Sequence, residues 1–163
     1  MADFLQTPVI MMSDLDLGMN YHLSEPFEWD DNKKYDLGKV LNAEDLDNME
    51  VFGRYLDIDE DGVCYRTVPG THPTKGSFFT RGTSRDEYAN YSEDGDVYVA
   101  VVNRLLKKWD TAKPLVPKPE LYQDKFESKY GLVFFGTTTY SALEAMDIME
   151  TQGLELDSMR ITA

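Results

Sequence analysis

The sequence predicts an α/β protein whose sheet is incomplete within these 163 residues. Three observations lead there. Near the C-terminus, Gly131-Leu132-Val133-Phe134-Phe135-Gly136 reads as a buried strand, a helix-period segment follows, and residues 156–161 read as a second strand. That order is a βαβ unit. Near the N-terminus, Thr7-Pro8-Val9-Ile10-Met11-Met12 is a continuous apolar run of the kind that forms a strand buried on both faces. The chain is 42% hydrophobic and 28% charged, enough apolar content to build a core. One βαβ unit cannot cover both faces of its own strands. The pattern is therefore expected to be an excerpt of a larger α/β protein.

The elements follow in order. Ser13-Asp14-Leu15-Asp16-Leu17-Gly18 alternates polar and apolar residues up to a glycine. Residues 20–50 have little periodicity and many acids, and read as an irregular solvated connection with a helical turn around 43–50. Residues 54–58 and 63–68 alternate on either side of Asp59-Glu60-Asp61-Gly62, which predicts a β-hairpin. Residues 69–92 are rich in Gly, Thr, Ser and aromatics and read as a long loop. Over 96–111 the apolar residues Val97, Val101 and Leu105 fall at helical spacing, flanked by Val102, Leu106 and Trp109. Arg104, Lys107 and Lys108 are expected on the opposite, solvated side. The β-branched Val97, Val99, Val101 and Val102 favour a strand instead, but the spacing carries the helix. Pro114, Pro117 and Pro119 make a stiff extended linker. Thr137-Thr138-Thr139 is a turn, Ser141 and Glu144 form a capping box, and Leu143, Met146 and Met149 line a helix ending at Gly153.

Charge narrows the function. Sixteen Lys and Arg face thirty Asp and Glu, for a net −14. Residues 1–62 hold 16 acids and 4 bases, so most of that excess lies in the first third. Such a chain repels polyanions, which argues against nucleic-acid and anionic-membrane binding. No apolar stretch reaches the eighteen or so residues of a membrane span, and no signal peptide is recognisable. The single cysteine, Cys64, permits no internal disulfide and suits a cytoplasmic location. With only His22 and His72 beside it, it supplies neither a structural zinc site nor an iron–sulfur cluster.

Asp57-Ile58-Asp59-Glu60-Asp61-Gly62 matches the first half of a calcium loop, but its twelfth position is Val68, which offers no side-chain oxygen. A tight turn is the better reading. Gly70 to Ser77 has the order Lys75-Gly76 rather than the Gly-Lys of a phosphate loop, and Phe78-Phe79 follow it in place of a helix. Local charge is more informative: between Cys64 and Arg85 stand Arg66, Lys75, Arg81 and Arg85 with no acid. His72, Lys75, Arg81 and Arg85 are the anion-binding candidates, for a carboxylate or phosphate. The alternative is that these cations pair with the acidic N-terminal third or with a neighbouring subunit. Neither a nucleophile–His–acid set nor the Gly-Asp-Gly…Asn signature for thiamine diphosphate is present. No catalytic residue and no metal ligand is assigned.

At these segments the sequence resembles the alpha subunit of 2-oxoacid:ferredoxin oxidoreductases, most closely the 2-oxoglutarate type. The resemblance rests on Pro8-Val9 through Ser13-Asp14-Leu15-Asp16-Leu17-Gly18-Met19-Asn20 and on Ser24-Glu25-Pro26-Phe27. It continues through Asp61-Gly62-Val63, Tyr65-Arg66, Pro69 to Gly76, Thr80-Arg81-Gly82-Thr83 and Asp86-Glu87-Tyr88. Val116-Pro117-Lys118-Pro119 and Gly136-Thr137 complete it. In some family members a histidine stands at the position of Arg85, so no role of that histidine transfers.

The resemblance implies that residues 1–30 are the end of a thiamine-diphosphate pyrimidine-type domain. Residues 31–130 would be a connecting segment with the hairpin (54–68), loop (69–92), helix (96–111) and proline-rich linker (114–119). Residues 131–163 would open a transketolase-C-terminal-like domain. It implies a complex that decarboxylates a 2-oxoacid with coenzyme A and sends electrons to ferredoxin, using thiamine diphosphate, Mg2+ and [4Fe-4S] clusters together with a beta subunit. The fragment alone is expected to bind none of these cofactors and to be inactive, because the family's substrate-reading Arg-Gly-Gly-Pro-Ser-Thr-Gly-type run lies upstream of these residues. A non-catalytic acidic binding module on the same scaffold is the competing expectation.

Overall fold

The computed structural model describes residues 1–122 and 128–162. The chain divides into two compact units, one built from residues 1–9 and 32–115, the other from 10–31 and 116–163.

The first unit contains α1 (Ala2–Leu5), α3 (Ala43–Asn48) and α4 (Gly95–Ala112), followed by a 3-10 turn at Lys113–Leu115. The turn expected around 43–50 is α3. Asn42 accepts from the Asp45 N–H and the Asp45 carboxylate accepts from the Asn42 N–H, a reciprocal cap. The segment between α3 and α4 has no helix or strand, as expected for 69–92.

The hairpin over 54–68 does not form. Its two arms hydrogen-bond elsewhere: the Tyr55 N–H donates to Glu87 O at 2.9 Å, while Arg66 exchanges backbone bonds with Lys39 and Leu41. The turn residues are drawn into an aspartate-centred loop instead. Asp57 Oδ1 accepts from the N–H groups of Asp61 and Gly62 at 3.1 and 2.9 Å. A side chain that captures backbone donors competes directly with ladder pairing.

α4 spans the predicted helix, and its first N–H groups are capped by Asp94, which accepts from Asp96 and Val97. The stripe of Val97, Val101 and Leu105 lies on the side it buries, with Val97 and Val101 half-buried, but bases expected opposite to that stripe share the face. Leu106 and Trp109 are 59% and 55% exposed, whereas Lys108 is buried at 7%. Arg104 donates to Gly62 O, Thr111 Oγ1 to Asp61 O, and Ala112 packs with Leu5 and Val63 in the core. Positions 104, 108, 111 and 112 share one helical face. It docks onto the aspartate loop largely through polar groups.

The second unit holds α2 (Leu15–Met19), β1 (Glu120–Tyr122), β2 (Gly131–Phe135), α5 (Thr138–Thr151) and β3 (Asp157–Ile161). β2 and β3 pair in parallel from Gly131↔Asp157 to Phe135↔Ile161, so the βαβ unit forms as expected. β1 adds an unforeseen antiparallel edge, Glu120↔Arg160 to Tyr122↔Ser158, giving a mixed sheet in the order β1-β3-β2. Only Phe134 of β2 is buried, stacked on Tyr122 at 6.0 Å, so this strand is half-buried rather than covered on both faces.

Residues 7–12 form no strand, and Ile10, Met11 and Met12 are 84%, 86% and 82% exposed. A strand needs a neighbour to form a ladder, but Thr7 turns back to donate to Ala2 O at 3.2 Å and none of the described residues pairs with the backbone of 8–12.

The Ser141 capping box is also replaced. α5 begins at Thr138, with Thr137 as its N-cap, so Ser141 lies exposed within the first turns. The anion at this terminus is Asp14, whose Oδ2 accepts from the Thr137 N–H at 2.8 Å and from Thr137 Oγ1 at 3.0 Å. Its Oδ1 accepts from the Leu17 N–H at the start of α2. These bonds, Leu17 first and then Thr137, hold the Asp14 carboxyl below the usual carboxylate range. Accordingly, Ser141→Ala is expected to change stability by no more than about 0.5 kcal/mol, as an exposed helix substitution does. A loss near 1 kcal/mol in urea unfolding would restore Ser141 as the cap.

Candidate functional site

The acid-free stretch folds back over the end of α3. His72 Nδ1 accepts from the N–H groups of Thr74 and Lys75 at 3.1 and 2.9 Å, which leaves Nε2 to face Asp47 Oδ1 at 3.2 Å. Lys75 Nζ donates to Leu46 O at 3.1 Å and lies 3.4 Å from Asp47 Oδ1. A lysine on the last carbonyls of a helix is favoured by the helix dipole. Thr67 Oγ1 closes the segment with a 2.6 Å bond to Gly76 O. The enclosed ground is an open cleft of about 430 Å³, lined by residues 67–72 and 75–78.

Of the four candidates, His72 and Lys75 come together at this cleft, with Asp47 as their shared counter-charge. Arg81 and Arg85 do not line it. Arg85 is spent locally: it donates to Ala89 O at 3.3 Å and stands 5.9 Å from the ring centroids of Phe79 and Tyr91. Arg81 is exposed; its carbonyl accepts from the Thr83 N–H at 2.7 Å, and its guanidinium makes no hydrogen bond or ion pair among the described residues.

The Asp57–Gly62 loop already holds a cation, and it is a side chain. Lys39 Nζ lies 2.6 Å from Asp59 Oδ2 and 2.8 Å from Asp61 Oδ1, and 5.2 Å from the Tyr65 ring centroid. Burial opposes the Lys39 charge, but the two carboxylates outweigh it and its pKa is raised. Among the described residues no group of three or more His, Cys, Asp or Glu is placed to hold a metal ion. Calcium is therefore expected to leave the melting temperature unchanged. A rise with millimolar calcium that Asp57→Ala abolishes would overturn this.

A second basic cluster escaped the sequence reading. Arg54, Arg104 and Lys108 line one cavity in the first unit, with Cys64 in its wall. They are far apart in sequence: Arg54 lies on the predicted hairpin arm, and Arg104 and Lys108 on the helix side expected to face solvent. The only local signal was three bases within residues 104–108, next to the apolar stripe.

No family model matches the chain. It is 26% identical over 156 residues to the alpha subunit of 2-oxoacid:ferredoxin oxidoreductase 2 from Aeropyrum pernix. That alignment covers 94% of this chain and 23% of the relative, so the chain spans under a quarter of its length. In structure the chain is similar to a chain of 2-oxoglutarate:ferredoxin oxidoreductase from Magnetococcus marinus, solved with 2-oxoglutarate, coenzyme A and succinyl-CoA bound. The TM-score is 0.55 at 19% identity, covering 71% of this chain and 20% of that one, a likeness of fold. The chain is thus homologous to a subunit of an oxidoreductase. Among the described residues no helix is long and apolar enough to cross a membrane.

Proposed function

We propose that the chain is part of the alpha subunit of a 2-oxoacid:ferredoxin oxidoreductase acting on 2-oxoglutarate. The complex would decarboxylate the 2-oxoacid, transfer the acyl group to coenzyme A and pass two electrons to ferredoxin. The observation that carries this reading is the length of the alignment: one alpha subunit matches 94% of the chain. In this reading residues 1–30 close a pyrimidine-binding domain, 31–130 connect, and 131–163 open a transketolase-C-terminal-like domain. The parallel β2–α5–β3 unit and the uncovered apolar run at Ile10–Met12 both suit a segment that packs within a larger α/β subunit. A beta subunit and ferredoxin would be its partners, and the cytoplasm its location.

The cofactors of such a complex would be thiamine diphosphate, Mg2+ and [4Fe-4S] clusters. The residues here do not fit them. The sole cysteine, 2% exposed, offers one thiolate where a [4Fe-4S] cluster takes about four, and these residues lack the Gly-Asp-Gly…Asn element. No chemical step through these groups is assigned to this chain. Its contribution would be to shape and charge the enzyme around a site completed elsewhere. Within that reading the 64–85 stretch recognises an anionic group of substrate or coenzyme, with Arg81 as the cation left open to meet it.

The test is Arg81→Ala in the full-length alpha subunit with its beta subunit. The expected result is a ten- to hundred-fold rise in KM for the 2-oxoacid or coenzyme A at unchanged melting temperature. That is the loss of one charge-assisted hydrogen bond, about 1.5–3 kcal/mol. Unchanged kinetics with a lowered melting temperature would leave Arg81 a structural role. The acidic first third also favours a second reading, a non-catalytic interaction module on the same scaffold. Translation of the flanking DNA separates the two, since an in-frame pyrimidine-binding domain supports only the first.

A further inference from the structure

The cavity lined by Arg54, Arg104 and Lys108 has a volume of about 220 Å³ within the first unit, and none of the described residues lining it is a carboxylate. Each cation is held by weak or neutral partners. Arg54 sits over the rings of Tyr55 and Phe78, at 5.2 and 5.4 Å, and makes no hydrogen bond among the described residues. Arg104 donates to Gly62 O at 2.9 Å and lies 5.8 Å from the Tyr55 ring centroid, while its Nε is buried without a partner. Lys108, 7% exposed, donates to Thr7 Oγ1 at 2.9 Å. The carboxylate next in line, Asp57, is committed to the N–H groups of Asp61 and Gly62 and faces Lys107 at 3.8 Å.

Three cations converging without a counter-charge are costly in a chain of net −14, where acids to pair them are plentiful. Burial, then the neighbouring Arg104 charge, pushes the Lys108 ammonium below the usual lysine range. Burial does the same to Arg54. Among the described residues no carboxylate forms an ion pair with any of the three. We propose that the cavity is a binding site for a dianionic phosphate group, held by the Arg54 and Arg104 guanidinium groups and the Lys108 ammonium above the Cys64 wall. Guanidinium forks suit the oxygens of a tetrahedral phosphate, the lysine adds a point charge, and the volume accommodates one such group. This goes beyond the proposed activity and does not depend on it.

Inorganic phosphate is the probe, added to the 163-residue chain at constant ionic strength with chloride and acetate as parallel arms. Two readouts serve: the melting temperature and the rate at which the lone Cys64 reacts with a thiol reagent. Phosphate is expected to raise the melting temperature saturably, by about 3–6 °C at ten times its Kd, and to slow Cys64 labelling. Arg54→Gln and Lys108→Met should each weaken phosphate at least about tenfold, the loss of one charge-assisted contact. Without phosphate, Lys108→Met should melt no lower than the parent, because it removes an uncompensated buried charge. Should Lys108→Met fail to fold, Arg54→Gln still decides, since Arg54 has only ring contacts to lose. A phosphate effect matched by chloride, or one that survives Arg54→Gln, would overturn the site. Equal potency of acetate would overturn the phosphate assignment.

Discussion

Gly62→Ala is expected to destabilise the chain by about 2–5 kcal/mol, the largest effect of any methyl-sized change in the first unit. Two costs combine. Gly62 has φ +79°, where an L side chain is strained by roughly 1–2 kcal/mol. Its added Cβ would also fall inside contact distance of the Lys108 N and lie 2.7 Å from both the Arg104 O and the Lys108 Cα. All three are backbone atoms of α4, so no rotamer change relieves the overlap. Forced separation of packed elements costs about 1–3 kcal/mol more. Against a typical total of roughly 5–15 kcal/mol this is severe. Gly70→Ala is the internal control: its φ is +87°, but nothing lies within 4 Å of its would-be Cβ. Urea unfolding of the two variants should differ by at least about 1 kcal/mol, and equal losses would mean that α4 is not packed against this loop. Faster Cys64 labelling in Gly62→Ala alone would show the same loosening by a second route.

Leu46→Ala should cost about 2–4 kcal/mol and should loosen the 72–76 segment with it. Leu46 is 1% exposed and is the one buried residue of α3, with its methyl groups against Gly76 and its carbonyl accepting from Lys75. The polar contacts at the same place are weaker by comparison. Asp47, which faces both His72 and Lys75, is 63% exposed, so Asp47→Ala should cost only about 0–1 kcal/mol. The ranking is therefore the expected result: the hydrophobic anchor outweighs the ion pairs. It is checked by unfolding both variants and by amide hydrogen exchange over residues 71–77. Asp47→Ala costing as much as Leu46→Ala would make the ion pairs the principal hold on α3.

The elements that were legible share one property: their signals are local. The helical turn expected around 43–50 is α3, and the apolar period over 96–111 marks α4 whatever surrounds it. The β2–α5–β3 order follows from a strand run, a helix period and a glycine stop, all within the last 33 residues. The acid-free run at 64–85 was equally plain as composition. Its use was not, because Asp47 lies 25 residues before His72, and only folding brings the pair to 3.2 Å.

What the tertiary structure decided is which donors, acceptors and faces found partners. Alternation at 54–68 permits a hairpin, yet Asp57 captures the turn N–H groups and Tyr55 and Arg66 pair with residues 87 and 39–41. Periodicity identifies the side of α4 that docks, where Val97 and Val101 are half-buried, but not the polar groups that share it. That face carries Arg104, Lys108 and Thr111, because the aspartate loop offers carbonyl oxygens at Asp61 and Gly62 that long polar side chains reach. Likewise Asp14 holds Thr137, the residue before α5, from 123 residues away, a partner that no window on the sequence contains. The helices here were set by neighbours along the chain, whereas strand pairing, burial and charge pairing were set by contacts whose cost and benefit exist only once the chain is folded.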